Sequence, residues 1–116
     1  MIHRSIFDDI GYFDENLKVC EDYDMWLRIL RKYQFGFIDE QLINKIAGHS
    51  DQLSFNAKFI DIYRIIALKK HLNSIYHKEI KDALIKKCDI LIKGALKYNN
   101  KKILTKYTTL KNNLQR

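Results

Sequence analysis

The sequence predicts an α+β fold that is mostly helical, and three observations lead there. From residue 55 onward, apolar side chains recur at helical spacing. Ahead of them, two short apolar runs at residues 1–4 and 37–46 read as extended pieces. Three of the four glycines (Gly11, Gly36 and Gly48) lie in the first 48 residues and there is no proline, so chain punctuation is concentrated in the first half.

Taken in order, residues 1–4 (MIHR) are expected to end a strand. Ser5 is placed to cap a short helix, with Asp8 three residues on, and Gly11 stands where that helix should stop. An irregular acidic loop, Tyr12 to Cys20, leads into a helix over Asp22–Tyr33. In that helix Met25, Ile29 and Leu30 share a face with Trp26 beside it, and Arg28, Arg31 and Lys32 lie largely opposite. Its acidic start and basic end suit the helix dipole. Residues 37–46 then read as two short extended pieces around the acidic turn Asp39-Glu40, and residues 47–54 as a polar loop.

The remainder is predicted to be helical. Phe55, Phe59, Ile62, Tyr63 and Ile66 form one stripe, Ile80, Leu84, Cys88, Leu91 and Ala95 a second, and Ile103, Tyr107, Leu110 and Leu114 a third. Asn73-Ser74 and Asn99-Asn100 mark the breaks between them.

Composition excludes several classes. A hydrophobic fraction of 47% with 6 Phe, 7 Tyr and 1 Trp is too apolar for a disordered tail. No stretch approaches the roughly 20 apolar residues that span a bilayer, and MIHRSIFDD offers no signal-peptide core. Cys20 and Cys88 make neither a disulfide framework nor a metal knuckle, so two reduced thiols in a cytosolic protein are expected. Charge is uneven: residues 1–50 hold 6 Lys/Arg and 9 Asp/Glu (−3), residues 51–116 hold 15 and 5 (+10). The lysines of the second half are spread in pairs among apolar positions, as on a solvated helix face. They also allow a rival reading, a small basic helical module that contacts nucleic acid or an acidic partner protein.

The run Val19-Cys20-Glu21-Asp22-Tyr23-Asp24-Met25-Trp26-Leu27-Arg28-Ile29 is the most informative stretch. Together with Met1–Phe7, Gly11-Tyr12-Phe13-Asp14-Glu15, Gly36–Glu40 and Gly48–Ser54, it resembles the C-terminal part of the catalytic domain of bacterial family 2 glycosyltransferases, inverting enzymes of the GT-A fold. The resemblance is strongest over residues 1–72. It implies that residues 1–54 are the acceptor-side, catalytic-base segment of a GT-A domain and residues 55–116 a helical C-terminal extension.

By the same resemblance Asp22 is the general base, which takes the acceptor hydroxyl's proton as its oxygen attacks the anomeric carbon. Glu21 binds or positions that hydroxyl, and Asp24 and Trp26 bind the acceptor, Trp26 lining its groove one turn on from Asp22. On spacing alone, the three acids serve equally well as charges at a helix start, Trp26 as core packing and His49 as an ordinary loop residue. His49 is the implied contact to a divalent cation, Mg²⁺ or Mn²⁺, in the intact enzyme. The implied partners are a nucleotide-sugar donor and a saccharide or lipid-linked acceptor, with no nucleic acid. The nucleotide-binding βαβ half and its metal-holding Asp-x-Asp motif are not in this sequence, since Asp22-Tyr23-Asp24 has the letters but lies in the base motif. The chain alone is therefore expected to be inactive; a truncated gene, a split gene or a partial sequence each explains this, and in a split enzyme a partner glycosyltransferase half supplies the donor site. A cytoplasmic location is implied, with the +10 half held peripherally at the inner face of the membrane.

Overall fold

A computed structural model describes residues 1–44, 46 and 60–116. Five helices order these residues: α1 (Arg4–Ile10), α2 (Glu21–Leu30), α3 (Ile60–Lys69), α4 (His77–Lys97) and α5 (Lys101–Gln115). Each packs against the next in the chain, α1 on α2, α2 on α3, α3 on α4 and α4 on α5. The α+β expectation, and with it the C-terminal portion of a GT-A domain, is overturned: the described residues form five helices and no strand. The physical reason is pairing. An extended run becomes a strand only when a neighbour takes its N–H and C=O groups. Residues 37–44 have no such neighbour among the described residues, and Phe37, Ile38, Leu42 and Ile43 lie exposed. The other expected strand, residues 1–4, runs directly into α1, with Arg4 already helical.

Residue spacing explains the helices that do form. The stripe on α4 is buried at every expected position, Ile80, Leu84, Cys88, Leu91 and Ala95. It meets Ile65 and Leu68 of α3 and Tyr107 of α5 in one core, with Ile103, Leu110 and Leu114 packed at its edge. Each large apolar side chain so buried contributes roughly 1.5–3 kcal/mol relative to exposure. On α3 the buried residues are Ile65, Ala67 and Leu68, whereas Ile66 is exposed. That helix packs on both α2 and α4, so its buried surface is wider and phased differently from the single stripe read in the sequence. Phe55 and Phe59 lie outside the described residues, as does the boundary between residues 54 and 55.

Helix ends follow local chemistry. His3, rather than Ser5, caps α1, its Nδ1 accepting the Ser5 backbone N–H at 3.3 Å. Gly11, at φ 78°, stops α1 by donating its N–H to the Phe7 carbonyl at 2.9 Å. Between α4 and α5, Asn99 takes the left-handed conformation (φ 52°) while the Asn100 N–H reaches back to the Ala95 carbonyl at 2.8 Å, a Schellman closure. The Asn100 side chain then caps α5 by accepting the Ile103 N–H at 3.1 Å.

One polar network ties the first half to the second. The Asp24 side chain has no exposed surface; it accepts Arg28 Nε at 3.1 Å and Lys70 Nζ at 2.8 Å. Arg28 also donates to the carbonyls of Ile10 and Tyr12, both at 2.5 Å, and Lys70 also pairs with Asp14. Two helices and the 11–20 loop therefore close on a single buried carboxylate. The ammonium of Lys70 and the backbone and side-chain N–H groups of Asn16 hold the Asp14 carboxyl down at about 2. Partial burial works against the charge of Lys70, yet Asp14 and Asp24 outweigh it and raise its pKa.

Two outcomes test the network. Asp24→Ala should lower the unfolding free energy by about 1–2 kcal/mol in urea, since it removes the shared partner of Arg28 and Lys70 while water still reaches both cations, whereas Asp8→Ala at an exposed site should change it by less than about 0.5. The Asp14 contribution is fully present above about pH 4, the carboxylate's unfolded range, and is lost as pH falls toward about 2. Asp14→Asn should accordingly flatten the acid limb of a stability-versus-pH curve between those values.

Candidate functional site

The α2 N-terminus gathers three acids in its first turn, Glu21, Asp22 and Asp24. Their side chains have different fates because successive helical residues are turned about 100° apart, which sets Asp22 and Asp24 on nearly opposite sides. Asp24 faces inward to Arg28 and Lys70. Asp22 is exposed, its Oδ1 accepting the Tyr23 backbone N–H at 2.7 Å, and Glu21 is half-buried. Free backbone N–H groups and the helix dipole favour negative charge at this end. Asp22 thus keeps a solvent-facing oxygen available to a hydroxyl group, an option that the ion pairs of Asp24 remove.

The turn into α2 is unusual. Cys20, the residue before Glu21, sits at φ 64° and ψ 22°, a left-handed conformation that L side chains rarely adopt. Its own carbonyl nevertheless accepts the Asp24 N–H at 3.0 Å, so the helix begins immediately after it. Leu17, Val19 and Cys20 are buried beneath this turn, and the Cys20 Sγ lies 3.8 Å from the Ile60 carbonyl. Burial pushes the Cys20 thiol up, with Arg64 opposing and the Asp22 and Glu21 charges adding to the rise. Cys20 and Cys88 are both buried, unpaired thiols.

Trp26, one turn on from Asp22, is 39% exposed and meets Phe35 edge-to-face at 5.6 Å. Both line a groove of about 600 Å³ whose walls include Ile6, Ile29, Tyr33 and Phe37. The groove is lined by the chain's first residues and Ile6 of α1, by Trp26 and Ile29 of α2 and by the segment that follows α2. Tyr33 is oriented there by Asp9, whose Oδ2 accepts the Tyr33 hydroxyl at 2.6 Å while Oδ1 accepts Lys32 Nζ at 2.7 Å.

Of the residues singled out in the sequence, α2 therefore carries Glu21, Asp22 and Trp26 at its accessible surface and Asp24 in its buried network. His49 and the Gly48–Ser54 block lie outside the described residues. Among the described residues no three His, Cys, Asp or Glu side chains gather to hold a metal ion. Sequence reasoning missed Phe35 as a partner of Trp26, and Lys70 as a partner of Asp24. Arg28 carried a readable signal, its i,i+4 spacing from Asp24. Lys70 carried none, being 46 residues away. Among the described residues no helix is long and apolar enough to cross a membrane.

Comparison with known proteins gives two partial likenesses. Over 52 residues, 45% of the chain, it is 40% identical to a Rickettsia felis protein named "Uncharacterized glycosyltransferase". Over 57 residues, 49% of the chain, it is 37% identical to an uncharacterized glycosyltransferase of Rickettsia typhi. The matched stretches span only 8% and 18% of those relatives' lengths. No family model matches the chain. No solved structure matches it either. The chain is thus similar, over about half its length, to glycosyltransferases.

The left-handed turn yields a test. Cys20→Gly should stay within about 1 kcal/mol of the parent, because relief of backbone strain offsets the lost packing. Cys20→Val, β-branched at the same φ, should destabilise by more than about 2 kcal/mol. Thermal unfolding of the two variants measures the difference.

Proposed function

We propose that this chain forms the acceptor-side part of an inverting, family 2 type glycosyltransferase, one that moves a sugar from a nucleotide-sugar donor to a hydroxyl of a saccharide or lipid-linked acceptor. The observation that carries the reading is the exposed Asp22 at the N-terminus of an anchored helix, one turn from Trp26 and its aromatic groove. The likeness to two proteins named as glycosyltransferases supports it.

In this reading the Asp22 carboxylate accepts the proton of the acceptor hydroxyl while that oxygen bonds to the anomeric carbon. The bond from that carbon to the diphosphate breaks at the same time, and the nucleoside diphosphate leaves with the electron pair. Attack from the face opposite the leaving group inverts the centre. Glu21, beside the base, holds or orients the hydroxyl. Trp26 and Phe35 offer aromatic faces to the acceptor's apolar surfaces. Residues 1–54 then constitute the acceptor-side segment, residues 55–116 a helical extension, and a partner glycosyltransferase half the donor site. A divalent cation, where the intact enzyme uses one, supplies charge neutralisation at the leaving diphosphate. The described residues do not assemble a ligand set for it, so no step here runs through it.

The test uses the chain together with the glycosyltransferase half that supplies the donor site, incubated with labelled nucleotide sugars and with saccharide and lipid-linked acceptors. Asp22→Asn should lower kcat by about 10²–10⁴ without raising KM for the donor. Trp26→Ala should act mainly on KM for the acceptor. Absence of transfer from every donor, or an Asp22→Asn protein as active as the parent, refutes the assignment.

A further inference from the structure

His71 stands apart from the chemistry above. It is 3% exposed, in the turn between α3 and α4, and neither ring nitrogen has a hydrogen-bond partner among the described residues. A buried donor or acceptor left unpaired is costly, and a charged ring without a partner is costlier still. The charged and titratable groups around it come from every neighbouring element. Asp24 and Arg28 belong to α2, Arg31 caps its C-terminal end, Lys70 and Tyr76 belong to the turn, and Glu79 to α4. Asp24 favours a charged ring but is already committed to Arg28 and Lys70, and Arg31, Lys70 and Arg28 all repel one. Burial first, then Arg31, keeps the His71 pKa below its ordinary 6.5.

A route of escape adjoins the ring. His71 borders a mostly apolar pocket of about 250 Å³ between α2 and the start of α4, with Leu27 and Ile80 in its walls and Glu79 at its edge. A cavity of about 150 Å³ accommodates benzene, so an imidazole has room to turn there.

We propose that His71 is an acid-sensitive latch: neutral, it packs the turn between α3 and α4 onto α2, and protonated, it swings into the pocket toward Glu79 and frees the turn. The sign follows from linkage. The closed state binds the proton more weakly than the open state, so closure is complete above about pH 6.5 and weakens as pH falls from there toward the lower closed-state value. The latch does not depend on the sugar-transfer reading.

Amide hydrogen exchange on the intact chain tests it between pH 7.5 and 5, corrected for intrinsic rates. The reporters are the N–H groups of His71 and Ser74, bonded to the Leu68 and His71 carbonyls at 2.9 and 3.0 Å. Their protection should fall by up to about tenfold per pH unit below 6.5, while α5 amides hold theirs. His71→Met should abolish the pH dependence and raise protection at neutral pH. His77→Asn should preserve the dependence, because His77 sits at the surface and holds the Leu72 carbonyl through Nδ1 at 2.6 Å. Should His71→Met not fold, the parent still decides by NMR titration of the His71 ring. A midpoint below 6.5 that tracks the loss of protection supports the latch. A midpoint at 6.5, pH-independent protection, or an unchanged pH response in His71→Met overturns it.

Discussion

A carboxylate with no exposed surface has to be partnered if it is to stay charged, and Asp24 is where this constraint organises the molecule. Arg28 answers it from one turn along the same helix, and Lys70 from the end of α3. Each partner then carries the constraint outward. Arg28 fixes the end of α1 through the Ile10 carbonyl and the start of the 11–20 loop through that of Tyr12, and Lys70 fixes the same loop through Asp14. The hydrophobic core holds α3, α4 and α5 together without help from these groups. The helix α1 relies more on the polar network, since it buries no residue fully.

The three acids at the start of α2 show how one short motif divides its work. Residues two apart on a helix point to nearly opposite sides, so a Glu-Asp-x-Asp run cannot present every carboxylate to the same space. Asp24 holds the helix and Asp22 faces outward. The left-handed Cys20 lets the helix begin directly at Glu21, which leaves both outer acids in the first turn where the dipole favours them. Strained backbone next to exposed charge is a pattern associated with functional sites, and here it coincides with the stretch that most resembles a catalytic motif.

The parts of this arrangement that depend on nearby residues were legible in the sequence. The α4 stripe, the apolar positions of α5, the breaks at Asn73-Ser74 and Asn99-Asn100 and the stop at Gly11 all follow from spacing or backbone preference within a few residues. Features that depend on distant residues were not legible. Strand character at residues 37–46 required a neighbouring strand, and an apolar run alone does not reveal whether one exists. The inward turn of Asp24 required Lys70, 46 residues on. The phase of α3 required knowing that α2 also packs on it, and nothing about cysteine as a residue type announces a left-handed turn at Cys20.

These relations bear on how a base at Asp22 would be positioned. A general base works within about 2.6–3.2 Å of the proton it removes, so its helix must be held to a fraction of an ångström. Asp22 itself contributes little to that, since among the described residues its side chain only accepts the adjacent Tyr23 backbone N–H. Its position is inherited from Asp24 two residues later, and through Asp24 from Lys70, just past the end of α3. Lys70 is next to His71, whose ring packs the same turn against α2. An ion pair and a neutral imidazole thus act at adjacent positions to hold one helix, and they weaken in opposite directions of pH. Lys70, raised by its carboxylates, keeps its charge to alkaline pH, whereas His71 loses its place in acid. The start of α2 is consequently best held between those limits, where Lys70 is charged and His71 is not.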